Sequence, residues 1–230
     1  DVGSGKTELA GTIGGAVARQ EKIEITLFPL SLSSRGQGRV GEMTQLLSAA
    51  FDYTVEAAVK LKGAGGRSRG AVILLVDEAD ALAQSRESAQ MHHEDRAGVN
   101  AFIRGIDRLA NGQLPAAVIM CTNRLGALDP AVKRRAAEIL VFERPNDAQR
   151  HAVLDSALYA LGLSAKQVDD LVAATGKGKG HYGFTFSDLT QRLLPAIVLD
   201  AYPSRSVEAP RALEITKQMQ PTPPFEERKS

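Results

Sequence analysis

The sequence predicts an α/β chain: a three-layer domain built on a parallel sheet, followed by a small helical domain. Three observations predict it. Four short runs favour strand, residues 22–30, 71–76, 116–121 and 138–142. The middle two are almost continuously apolar, as strands covered on both faces of a parallel sheet must be. Between and around these runs apolar residues recur at helical spacing: Leu9, Ile13 and Val17; Leu47, Phe51, Val55 and Ala58; Val99, Phe102, Ile103 and Ile106. Strands alternating with amphipathic helices are the mark of βαβ units.

Past Pro145 the pattern changes. Residues 151–161, 165–174, 187–202 and, more weakly, 208–218 read as helices, with no strand among them. The expected division is therefore 1–145 for the sheet domain and 146–230 for a helical lid. Residues 176–180, GKGKG, read as a flexible basic loop, and the prolines in 221–224 end the last helix.

Composition narrows the function classes. The chain has 230 residues, 43% hydrophobic and 24% charged, with a formal net charge of +1. A balance so close to neutral asks for no nucleic-acid or acidic-membrane partner. The single cysteine, Cys121, forms no internal disulfide, which fits a reducing cytoplasm. The longest apolar run, 71–76, is far too short to span a bilayer, and no signal peptide is visible.

Chemistry enters at the first residues. Gly3-Ser4-Gly5-Lys6-Thr7 matches the end of the phosphate-loop pattern G-x-x-x-x-G-K-[ST]. Its first glycine would stand just before Asp1, so one strand is expected upstream. Glycines let successive N–H groups curl round a phosphate, and the following helix N-terminus favours negative charge. Lys6 then reaches the β- and γ-phosphates of ATP, the Thr7 hydroxyl ligates Mg2+, and Glu8 in the first turn joins the nucleotide-binding set. The apolar run 72–76 ends in Asp77-Glu78, at the strand tip where parallel sheets bind ligands. Asp77 is expected to hold Mg2+ through water, and Glu78 to orient and deprotonate the attacking water.

Two further elements follow. The third strand is succeeded by Thr122-Asn123-Arg124, and Asn123 has an amide suited to positioning that water. Leu128-Asp129-Pro130-Ala131-Val132-Lys133-Arg134-Arg135 then offers an arginine for a neighbouring subunit's γ-phosphate, Arg135 ahead of Arg134. Cys121 lies inside the strand and reads as a small core residue. His92-His93-Glu94-Asp95 gives no tetrahedral metal spacing and reads as a surface loop.

These four elements in this order resemble the AAA+ ATPases. The resemblance implies a phosphate-loop sheet domain with a helical lid, usually in a homo-hexameric ring with ATP at subunit interfaces. A narrower resemblance is to the pachytene-checkpoint family, whose members remodel HORMA-domain proteins. It rests on Val99-Asn100-Ala101 with Ile106-Asp107, on Arg135-Ala136, on Leu194-Pro195 with Ala201-Tyr202, and on the closing Phe225-Glu226-Glu227-Arg228-Lys229. Two departures stand out. The family's substrate loop carries an aromatic residue, whereas here Gly38-Arg39-Val40-Gly41-Glu42 leaves Arg39 and Val40 to grip a substrate chain. No arginine occurs in Gly183-Phe184-Thr185-Phe186-Ser187-Asp188, and Arg192 is the nearest. The resemblance thus implies an ATP-hydrolysing motor that remodels a protein partner of the HORMA kind. The alternative is a nucleotide switch acting on nucleic acid, as in initiator and loader relatives.

Overall fold

A computed structural model describes residues 1–32, 41–63, 68–82, 93–178, 181–203 and 206–224. Arg39, Val40, His92 and the closing 225–230 lie outside the described residues. The chain forms two compact units, one comprising Lys6–Leu140 and the other Asp1–Gly5 together with Val141–Ser230.

The first unit holds the sheet. Strands β1 (Glu24–Ser31), β2 (Gly70–Asp77) and β3 (Ala116–Met120) are all parallel, in the order β1-β2-β3. The register sets Ser31 opposite Asp77 and Val76 opposite Met120, so the chemistry-bearing strand ends lie side by side. β2 is buried on both faces because helices cover both. On one face Leu74 and Val76 pack with Leu47 and Phe51 of α2 (Glu42–Leu61) and with Val99 and Phe102 of α3 (His93–Asn111). The Phe51 and Phe102 rings meet edge-on at 5.6 Å. On the other face Leu75 and Cys121 meet Ala10 of α1 (Lys6–Glu21).

Helix α1 turns a different face inward from the one its large apolar residues predict. Ala10 and Gly14 are buried, while Leu9 and Val17 are 42% and 37% exposed. The helix lies so near the sheet that a Cβ on Gly14 would stand 3.2 Å from Ile73 Cδ1 and 3.3 Å from Ile25 Cγ2. Small residues permit that approach, and bulkier ones would force the helix outward.

The expected fourth strand does not form. Residues 138–142 take no regular secondary structure and join no ladder, and Ile139, Leu140 and Val141 stay 46%, 64% and 75% exposed. Strand propensity becomes a strand only beside a partner that takes up its N–H and C=O groups. Among the described residues the sheet consists of β1, β2 and β3, and this run pairs with neither edge of it.

The helices of the second unit begin at Asp147. Asn146 caps α5 (Asp147–Leu158) in a reciprocal box with Gln149. α6 (Ala165–Ala174), α7 (Leu194–Ala201) and α8 (Ala209–Gln218) complete it, around buried Leu154, Leu158, Leu171, Phe184, Leu189 and Leu193. The stretch expected as one helix over 187–202 is divided, with Asp188–Leu193 forming a π-helical turn ahead of α7. Pro195 explains the widening. It has no N–H to give to the carbonyl four residues back, and the preceding Leu194 N–H reaches Leu189 O instead.

Within that unit a buried carboxylate gathers donors from several segments. Asp188 accepts from the Thr185 and Thr222 N–H groups, the Thr222 hydroxyl and Arg192. Burial alone would push its carboxyl up. These donors outweigh burial and hold it at about 2. Arg192 is thus engaged by Asp188 at 2.6 Å.

Candidate active site

The site is built at the C-terminal tips of β1, β2 and β3, where parallel strands present backbone ends and short loops to a ligand. Lys6 and Thr7 open α1. The Thr7 hydroxyl donates to Asp77 Oδ1 at 3.3 Å, so the helix start and the acidic tip are adjacent. Asp77 Oδ1 also accepts the Glu78 N–H at 2.8 Å. The carboxylate of Glu78 is held in turn by Ser31, whose hydroxyl donates to Oε2 at 3.1 Å from the end of β1.

Glu78 has φ +52°, a left-handed backbone that costs a non-glycine residue about 1 kcal/mol. Such strain persists where the surroundings impose it, and it concentrates at working sites. Lys6 sits beside this tip. Partial burial lowers its ammonium from the usual lysine range, and the Cys121, Asp80 and Asp77 groups oppose that fall. Burial raises the Cys121 thiol, Asp77 adds to the rise, and Lys6 offsets part of it. A 5%-exposed thiol raised in this way is a core residue.

Asn123 stands just beyond β3. The backbone carries the ladder past the named strands, for Cys121 N–H donates to Val76 O and Ala79 N–H to Cys121 O, both at 2.9 Å. The turn is then bound by Asp80, which accepts from the Thr122 hydroxyl and from the N–H groups of Asn123 and Arg124. Ser31, Asp80 and Thr122 were not singled out by sequence. The available signal was a third acid, two residues past the Asp77-Glu78 pair; Ser31 had none, since only the strand register brings it opposite Asp77.

The glycine loop groups with the helical unit and is described there. Gly3 and Gly5 have φ +64° and +89°, conformations that side chains resist. A Cβ on Gly3 would stand 2.9 Å from both Ser187 Cβ and Thr185 Oγ1, and its carbonyl accepts the Ser187 N–H at 3.0 Å. Buried Ser4 donates its hydroxyl to Asp1 O at 2.6 Å. Arg144 donates to Asp1 Oδ2 at 2.8 Å and to the carbonyls of Thr222 and Gly183. Glu8 is exposed in the first turn of α1.

The two arginines lie elsewhere in the sheet unit. Asp129 caps the short α4 (Pro130–Lys133), accepting the Ala131 N–H at 2.7 Å with Pro130 in the first turn, and Arg134 and Arg135 follow at its end. Arg135 is clasped by Asp107 of α3 through Nε at 2.7 Å and Nη2 at 2.8 Å, while its Nη1 donates to Ala131 O. Arg134 donates to Pro130 O at 3.3 Å. The structure therefore brings Lys6, Thr7, Asp77, Glu78 and Asn123 together, and holds Arg135 on α3 and α4.

Residues 1–144 match the model of the ATPase family associated with various cellular activities (AAA). This chain belongs to that family and is an ATPase. CD-NTase-associated protein 6 of Escherichia coli strain MS 115-1 is 70% identical over 229 residues, covering 99% of the ATPase chain and 74% of that protein. A chain in the structure of the E. coli MS115-1 HORMA:CdnC:Trip13 complex superposes with a TM-score of 0.87 at 69% identity, over 98% of this chain and 73% of that one. The structure of a Rhizobiales Trip13 gives a TM-score of 0.75 at 59% identity, over 97% and 72%. The narrower resemblance read from Val99-Asn100-Ala101 and Arg135-Ala136 agrees with these relatives. Among the described residues no helix of the ATPase is long and apolar enough to cross a membrane.

Proposed function

We propose that the chain binds ATP with Mg2+ at the glycine loop and strand tips and spends its hydrolysis on remodelling a HORMA-domain protein, as part of a cytoplasmic homo-hexamer. The observation that carries the ATPase half is the run of contacts from Thr7 through Asp77 to Glu78 and Ser31. The partner is supported by the similarity to a chain found in a HORMA:CdnC:Trip13 complex.

The backbone of Gly3, Ser4 and Gly5 with Lys6 receives the phosphates, and Glu8 lies in the same helical turn. A hydroxyl and a single carboxylate, 3.3 Å apart, form a hard-oxygen pair that suits Mg2+, which keeps most of its shell as water and phosphate. An ion held there would supply neutralisation of charge on the phosphate oxygens. Thr7 and Asp77 would hold that ion, Asp77 by way of water. Glu78, oriented by Ser31, takes the proton of the attacking water while Asn123 orients it. Arg135, with Arg134 behind it, acts on the nucleotide of the adjacent subunit. Arg39 and Val40 belong to the loop that engages the substrate chain.

The test measures ATP turnover with and without a HORMA-domain protein, for the wild type and for Glu78→Gln. The partner should stimulate wild-type turnover. Glu78→Gln should keep nucleotide binding and lose turnover about 10²-fold or more. Normal turnover in that variant would remove Glu78 from its role, and indifference to every HORMA-domain partner would remove the substrate reading.

A further inference from the structure

We infer that Asp80 is a positioning residue for ATP hydrolysis, tying the turn after β3 to the acidic tip of β2 and thereby aiming the Asn123 amide. This rests on the role proposed above for Asn123. One oxygen, Oδ1 of Asp80, accepts from the Thr122 hydroxyl and from the N–H groups of Asn123 and Arg124, the latter two at 3.2 Å. The Thr122 oxygen in turn accepts the Arg124 N–H at 2.9 Å, closing the turn on itself. Asp80 is two residues past Glu78, and Ala79 between them is fully buried and bonded through its N–H to Cys121 O. The residue that bears the base and the residue that bears the amide are therefore parts of one hydrogen-bonded unit.

Asn123 has need of such a clamp. Its side chain is exposed and makes no hydrogen bond among the described residues, so its direction is inherited from the backbone. A carboxylate oxygen that collects two consecutive N–H groups and a hydroxyl restrains that backbone, since bonds to a charged acceptor are stronger than neutral ones. An amide that swings by an ångström no longer orients the water, and displacements of that size cost up to about 10²-fold in rate.

The experiment compares Asp80→Ala, Asp80→Asn, Thr122→Val and Asn123→Ala, with the double variant Asp80→Ala/Asn123→Ala, in the full chain. Melting curves establish that each is folded. Asp80→Ala should lower kcat about 10-fold or more with little change in KM for ATP. Asp80→Asn, which keeps an acceptor oxygen, should recover most of that loss, and Thr122→Val should fall in the same direction as Asp80→Ala. The double variant should be no slower than Asn123→Ala alone, because Asp80 acts through Asn123. Losses that multiply in the double variant, or a rise in KM for ATP shared by Asp80→Ala and Asp80→Asn, would overturn the inference and place Asp80 on Lys6 or the phosphates instead. Wild-type turnover in Asn123→Ala would overturn the Asn123 role itself, a result the Asp80 variants alone do not produce.

Discussion

The strand tips and the turn after α4 carry the two halves of one proposed reaction, and they are in opposite states. At the tips Thr7, Asp77, Glu78 and Ser31 already touch one another, and Asp80 holds Asn123 beside them. At the turn Arg135 has every nitrogen of its guanidinium occupied by Asp107 and by the Ala131 carbonyl. One chain assembles the first set alone and leaves the second engaged elsewhere. Acid, base and amide are fixed by strand register and a local ladder, so folding places them. Arg135, proposed above to serve another subunit's phosphate, is paired with Asp107 within its own chain.

The largest expected effect breaks this division directly. Arg135→Ala should lower turnover about 10³-fold while leaving nucleotide affinity nearly intact, because the tips do not use it. Glu78→Gln subunits keep Arg135 and lack the base, so mixing the two variants should restore partial turnover. Colorimetric phosphate release across a series of mixing ratios checks it. Absence of rescue at every ratio would return Arg135 to a structural role on α3.

A mutation in α3 separates support of the turn from chemistry at the tips. A Cβ on Gly105 would come within 2.3 Å of the Phe51 ring, closer than real contacts allow. Gly105→Ala should therefore destabilise the sheet unit by about 1–3 kcal/mol, although alanine favours a helix by up to about 1 kcal/mol. Thermal melting reads the loss, and a raised melting temperature would mean that α3 moves freely away from α2. Since Asp107 lies one turn or less from Gly105, the variant should also weaken the clasp on Arg135 more than it disturbs ATP binding.

How much of this was legible depended on whether the determinant was local. Lys6, Thr7, Asp77 and Glu78 were readable because a phosphate loop and an acid pair after an apolar run are contiguous in sequence. β2 and β3 were readable because burial on both faces writes an unbroken apolar run. Ser31 was not, since its place opposite Asp77 is a matter of register between strands far apart in the chain. The inward face of α1 was misjudged for the same reason: its closeness to Ile73 and Ile25 selects Ala10 and Gly14 over Leu9 and Val17. The run 138–142 has the composition of a strand, yet a ladder needs a neighbour, and composition does not report one. The π-helical turn before Pro195 needed only the missing N–H to be foreseen, and a purely periodic reading passed over it.

The smallest expected effect concerns the clasp itself. Asp107 and Arg135 meet through two parallel N–H···O bonds, and this geometry draws the Asp107 carboxyl below its usual range and the guanidinium above its own. Both side chains remain partly open to solvent, at 44% and 32% exposure, so the pair is weak and sensitive to salt. Asp107→Asn removes the charge that competes with a neighbouring phosphate for Arg135. Turnover at low ionic strength should rise by a factor of a few, and the gain over wild type should shrink as salt screens the wild-type pair. A variant slower than wild type at every salt concentration would mean that Asp107 aims Arg135 rather than restrains it, and the two ends of the comparison would then both be preorganised by folding alone.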